Sequence, residues 1–136
     1  MARYEEWISR ANSSLDLAKT KITHRIIYED LCYQAQQAVE KALKGLLIYF
    51  EIEPEFTHNI EILINALKQC TEVPDNVRKS AGLTDYAVFT RYPGGYNEIT
   101  KTQHEKAIKT AEDCLKWVEK TIKEIEEQKT KPHSSE

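Results

Sequence analysis

The stretch of the sequence richest in reactive groups is Arg91–Tyr96, which reads RYPGGY. It places a guanidinium group, two phenol rings and a flexible glycine pair within six residues. A guanidinium binds phosphate through two parallel hydrogen bonds, and tyrosine rings stack on bases, so this combination suits a nucleotide or RNA. A structural interpretation is also open, in which Arg91 caps a helix end or pairs with Asp85, while Tyr92 and Tyr96 close the hydrophobic core.

His58 is a second residue with possible chemistry, because an imidazole changes its charge near neutral pH. It follows Thr57 at the start of a predicted short helix, where a histidine also serves as a cap. The sequence alone leaves His58 open as a ligand, a base or a helix cap.

The sequence lacks the common motifs of metal and phosphate chemistry. A di-iron bundle needs two Glu-x-x-His pairs on helices, whereas the single pair here, Glu55 and His58, lies in a loop with Pro54. There is no GxxxxGKS/T, GxGxxG, HExxH or GxSxG motif. The three cysteines have no CxxC spacing, which predicts buried thiols rather than a zinc site; they are Cys32, Cys70 and Cys114. We therefore expect no metal and no cofactor.

Length and charge limit the classes of function. A chain of 136 residues fits one domain, and its net charge of −3 does not suggest a protein that coats nucleic acid through bulk charge. Any nucleic-acid contact must come from a local cluster. The N-terminus lacks an apolar signal region, and the longest uncharged apolar run, Gly45–Phe50, is far too short to span a membrane. We expect a cytoplasmic domain without a membrane partner.

The element that must position these groups is a long helix over Leu31–Phe50. Two adjacent apolar rows at helical spacing predict that most of its circumference is buried. Gly45 in its interior indicates a close approach by a neighbouring helix. Some of its polar residues must lie close to whatever the bundle binds, and Gln34, Gln37 and Lys41 are candidates for a cleft wall or a dimer face. The polar residues are Gln34, Gln36, Gln37, Glu40, Lys41 and Lys44. The apolar rows are Leu31, Ala35, Ala38, Ala42, Leu46 and Tyr49, then Val39, Leu43, Leu47 and Phe50.

The remaining segments predict an all-α, up-and-down bundle of about five helices. The first helix runs from about Arg3 to Lys21, and a short third helix from Ile60 to Leu67 is capped by Thr57, His58 or Asn59. Pro74 and Asp75 open a fourth helix, and the last begins at Thr102 with a capping box to Glu105. We expect a bundle over residues 1–125 and a flexible tail over 126–136.

Four segments in this order resemble the HEPN domain family: YQAQQAVEKALKGLL at Tyr33–Leu47, TH at Thr57–His58, TRYPGGY at Thr90–Tyr96 and TAEDCLKWVEK at Thr110–Lys120. The resemblance implies a helical bundle that forms a homodimer. It also implies a minimal nucleotidyltransferase as partner, with the two proteins acting as toxin and antitoxin. In the RNase branch of the family, an Arg is followed after about four to six residues by a His, and the motif cuts RNA without a metal.

The sequence departs from that branch. Arg91 matches the motif Arg, but positions 96, 97 and 98 are Tyr, Asn and Glu. Tyrosine, with an ordinary pKa of about 10, is a poor substitute for the missing His as an acid or base near neutral pH. The resemblance therefore implies a protein that binds a nucleotide or RNA without strong catalysis.

In this interpretation Arg91 holds phosphate, Tyr92 and Tyr96 stack or donate hydrogen bonds, and Lys41 and His58 contribute if they line the same cleft. Two alternatives stay open. The protein is a metal-independent endoribonuclease in which Arg91 and Tyr96 are catalytic, or it is a purely structural helical interaction module.

Overall fold

The computed structural model describes residues 3–88, 93–94 and 98–130, and over these residues the chain is helical, with no strand. The helices are α1 (Tyr4–Ala18), α2 (Tyr28–Tyr49), α3 (Ile60–Leu67), α4 (Asp75–Arg78), α5 (Asp85–Val88) and α6 (Lys101–Thr130), and a 3₁₀ helix (Lys79–Thr84) joins α4 to α5. Because the segment from Asp75 to Val88 is one continuous irregular helix, the bundle has five helical units. The predicted all-α fold is confirmed.

The long helix α2 is the centre of the core and packs against α1, α3 and α6. Both predicted apolar rows are buried except at the C-terminal end, where Tyr49 and Phe50 are partly exposed. None of the described helices is long and apolar enough to cross a membrane.

Gly45 marks the closest approach of α1 to α2. A Cβ added at this position would lie 3.0 Å from Ile8 Cδ1, 3.1 Å from Trp7 Cβ and 3.4 Å from the Tyr4 carbonyl oxygen. The glycine is therefore required by a neighbouring helix, as the sequence predicted. This contact fixes the position of the first two turns of α1 beside α2.

The helix caps agree with the sequence at α3 and differ at α6. Asn59 caps α3, since its side-chain oxygen accepts from Glu61 N at 3.0 Å. The capping box of α6 lies at Thr100 and Gln103, where each side chain accepts from the other residue's backbone N–H, at 3.2 and 2.8 Å. The box predicted at Thr102 is wrong because α6 already begins at Lys101.

Two further predictions differ from the structure. Helix α6 continues to Thr130, so residues 126–130 are helical where a flexible tail was expected. Glu126 accepts a hydrogen bond from the Tyr49 hydroxyl, which gives this last turn a contact with α2. Cys32 and Cys114 are buried as expected, but Cys70 is exposed in the turn that follows α3.

We expect Gly45→Val to lower the free energy of unfolding by about 1–3 kcal/mol, because the added methyl groups overpack the contact with α1. Chemical denaturation measures the change. Gly82→Ala is the control, because nothing lies within 4 Å of a Cβ at Gly82. An equal loss in both variants would show that helix contact is not the reason for Gly45.

Candidate functional site

A groove of about 350 Å³ opens where α1, α2 and the loop between α2 and α3 meet. The predicted site residues Lys41 and His58 both line it, so the structure brings the long helix and its following loop together at one place. The other lining residues are Glu6, Trp7 and Arg10 of α1, Gln37, Glu40 and Lys44 of α2, and Phe56 of the loop.

The floor of this groove is the buried carboxylate of Glu40, whose side chain is 5% exposed. One carboxylate oxygen lies 2.8 Å from the Lys44 ammonium, which is also buried. The other lies 2.8 Å from His58 Nδ1 and accepts from Gln36 Nε2 at 3.2 Å. Glu40 thus has partners on both oxygens, as a buried charge requires.

The network joins the loop to α2. Gln36, Glu40 and Lys44 are spaced four residues apart, so they lie on one side of the helix, and Glu precedes Lys in the favourable order. Gln36 Nε2 also donates to the His58 backbone carbonyl at 3.0 Å. His58 is therefore held by its side chain and its backbone, and it does not cap α3.

The partners of Glu40 also set its charge. Burial raises the pKa of Glu40, but hydrogen bonds from Lys44, His58 and Gln36 outweigh burial, and the pKa lies below its ordinary value of 4.5. Glu40 is ionised at neutral pH and fully hydrogen-bonded. We infer that it holds other residues in place and does not act as a base.

One side of the groove carries two cations without a carboxylate partner. Lys41 Nζ donates to Ser14 Oγ at 2.9 Å, and among the described residues neither Lys41 nor Arg10 forms an ion pair. Burial lowers the pKa of Lys41, Glu40 opposes this effect and the Arg10 guanidinium adds to it. Arg10 and Lys41 therefore repel each other, and a bound anion would relieve that repulsion.

Two aromatic rings border the same groove. The Lys44 ammonium lies 5.8 Å from the centre of the Trp7 ring and 6.0 Å from the centre of the Phe56 ring. These distances fit weak cation–π attraction. Both rings therefore lie near the same ammonium group. Phe56 is otherwise fully exposed, which is unusual for so large an apolar side chain.

The other predicted site residues, Arg91, Tyr92 and Tyr96, lie outside the described residues. Their described neighbours Pro93 and Gly94 form a bend, with Gly94 at φ +83°, in agreement with the predicted turn. These two residues line a second depression of about 700 Å³, which is also lined by Ile22, residues 26–30, Glu98 and Ile99. Among the described residues, no side chain lines both the groove and this depression.

Sequence reasoning named Glu40 and Lys44 only among the polar residues of the long helix, and it did not single out Trp7, Arg10 or Phe56. A signal was present for Glu40 and Lys44, because their four-residue spacing places a charged pair on a helix with two buried apolar rows. No signal marks Trp7, Arg10 or Phe56, since only the packing of α1 and the loop brings them to α2. Over residues 3–88, 93–94 and 98–130, no group of three His, Cys, Asp or Glu side chains is placed to hold a metal ion.

Comparison with known proteins gives matches over nearly the whole chain. The model of the HEPN domain matches residues 4–121. A protein from Methanocaldococcus jannaschii named "Putative toxin MJ1304" is 30% identical over an alignment of 136 positions, with 87% of each chain covered.

Two crystal structures share the fold. TT1696 from Thermus thermophilus has a TM-score of 0.78 and 30% sequence identity, with 88% of this chain and 98% of that chain covered. ST0689, described as an archaeal HEPN homologue, has a TM-score of 0.71 and 31% identity, with 90% and 99% covered.

We expect Glu40→Gln to lower the free energy of unfolding by about 3 kcal/mol, because the Lys44 ammonium is then buried without a carboxylate. The double variant Glu40→Met/Lys44→Met should recover most of the loss, since it removes both charges. Glu124→Gln is the matched control, because Glu124 pairs with Lys120 across one helical turn in an exposed position. An equal loss at Glu40 and Glu124 in urea denaturation would contradict the role of the buried pair.

We also expect the stability advantage of wild type over Glu40→Gln to depend on pH. Because the folded-state pKa of Glu40 lies below 4.5, its charged form contributes stability that is present above the unfolded pKa and is lost as the pH falls through the folded pKa. Unfolding measured from neutral pH down to about pH 3 should show the gap closing below pH 4.5. A gap that stays constant or widens on acidification would contradict this assignment.

Proposed function

Because the chain belongs to the HEPN domain family, we propose that it binds a nucleotide or RNA and is the toxin-type partner of a minimal nucleotidyltransferase. In this proposal the protein acts in the cytoplasm as a homodimer. The toxin assignment follows the name of its relative in M. jannaschii.

The observation that carries the ligand class is that two cations of the groove, Arg10 and Lys41, form no ion pair among the described residues, in a groove that also contains His58. A guanidinium and an ammonium together bind a phosphate group well. Arg91, Tyr92 and Tyr96 would add a second guanidinium and two stacking rings, either on the same ligand or across a dimer. The RYPGGY sequence supports this contribution.

We propose that the function of this protein is ligand binding rather than catalysis. No His follows Arg91 at the spacing of the RNase motif, and position 96 is Tyr. The alternative is a metal-independent endoribonuclease with Arg91 and Tyr96 in the catalytic roles. Incubation of RNA with the protein in EDTA decides between them: cleavage that Tyr96→Phe abolishes would favour the enzyme.

We expect Arg91→Ala to weaken binding of nucleotide or RNA by about tenfold or more, because a charge-assisted contact to phosphate is lost. Arg25→Ala is the control, since Arg25 is exposed and lines neither depression. Calorimetric titration of the three proteins measures the affinities. Equal affinity in wild type and Arg91→Ala would remove Arg91 from the site.

A loss of stability or dimerisation in Arg91→Ala without any loss of affinity would instead favour the helical interaction module. Thermal melts and sizing chromatography of the same samples provide that comparison.

A further inference from the structure

The groove between α1, α2 and the loop after α2 combines two features, positive charge and aromatic surface, that few ligands use at the same time. Arg10 and Lys41 supply positive charge, and the half-buried Trp7 and the exposed Phe56 supply aromatic surface. A molecule that uses both must carry an anionic group and a flat ring a short distance apart.

The carboxylates of the groove form no ion pair with either of these cations among the described residues, although Glu40 partly offsets the charge of Lys41. Glu40 is engaged by Lys44 and His58, and Glu6 accepts from the backbone N–H of Arg3 at the start of α1. Lys41 has only the neutral hydroxyl of Ser14 as its hydrogen-bond acceptor among the described residues. An anion beside Lys41 and Arg10 would therefore be attracted by two positive charges that form no ion pair among the described residues.

The backbone on the aromatic side of the groove is held in place. Phe56 lies two residues before His58, and the loop is fastened to α2 by the 2.8 Å contact of His58 with Glu40 and the 3.0 Å bond from Gln36. Trp7 is fixed by the close packing of α1 on Gly45. Rings held on two different elements offer a preformed surface on which a base can stack.

The size of the groove selects among phosphate-bearing ligands. A volume of about 350 Å³ is near the lower end of the range for small-molecule sites, which is about 300–1,000 Å³. It is large enough for one nucleotide, and further nucleotides of a strand would lie outside the groove.

We propose that this groove binds a single nucleotide, with its phosphate on Arg10 and Lys41 and its base against Trp7 and Phe56. The assignment rests on the proposed function, which it narrows from nucleotide or RNA to a mononucleotide. It also places the ligand at residues that the RYPGGY loop does not include.

The test uses the fluorescence of Trp7 in a Trp117→Phe background, where Trp7 is the remaining tryptophan. AMP, adenosine and ribose 5-phosphate are titrated separately. We expect saturable quenching by AMP, with an affinity about tenfold or more above that of either half, because only AMP engages both sides of the groove.

Variants then assign the contacts. Arg10→Gln and Lys41→Gln should each weaken AMP binding about tenfold, and Phe56→Ala should weaken AMP and adenosine alike. Lys116→Gln is the matched control, because Lys116 is an exposed lysine on α6 outside the groove. Thermal melts confirm that each variant is folded before its affinity is compared.

Three outcomes would overturn the assignment. They are equal affinity for AMP in Lys41→Gln and Lys116→Gln, ribose 5-phosphate binding as tightly as AMP, or a short single-stranded RNA binding more tightly than AMP through the same residues. AMP binding that is lost in Arg91→Ala but kept in Lys41→Gln refutes this groove and leaves the proposed function standing. Failure of wild type to bind either AMP or RNA refutes both.

Discussion

The candidate site depends on one buried interaction, the Glu40 carboxylate held between Lys44 and His58. A buried ion pair contributes little net stability, because desolvation of the charges offsets their attraction, and well-packed apolar residues often do as well. Here the pair defines the position of the loop that contains His58. Glu40 fixes a loop of irregular backbone against α2, and the exposed Phe56 ring of the same loop borders the groove.

The same helix organises the core and the groove. On its apolar sides, α2 packs against α1, α3 and α6, and Gly45 lets α1 approach so closely that the Trp7 Cβ would lie 3.1 Å from a Cβ at this position. That contact sets where Trp7 and, one turn further along α1, Arg10 meet the polar side of α2. Packing in the core therefore determines the composition of the groove wall.

The sequence was sufficient for the fold, and two of its predicted site residues, Lys41 and His58, line one groove. The two apolar rows and Gly45 gave correct predictions because they depend on local spacing, and the family resemblance was correct because it rests on four segments in a fixed order. The cap of α6 was misplaced since two overlapping Thr-x-x-Gln/Glu patterns, beginning at Thr100 and Thr102, satisfy the same rule. Lys41 and His58 were named in advance, whereas Trp7, Arg10 and Phe56 were not, because their position depends on how α1 and the loop pack. The roles of Arg91, Tyr92 and Tyr96 stay predictions.

The most direct test of this account is a double-mutant cycle on Glu40 and His58, with the free energy of unfolding as the measured quantity. The variants are Glu40→Gln, His58→Ala and the combination of the two. If Glu40 holds the loop through His58, the two changes should be coupled by about 1 kcal/mol or more. Effects that add to within about 0.3 kcal/mol would contradict the account, because they would show that the loop is positioned independently of the buried carboxylate.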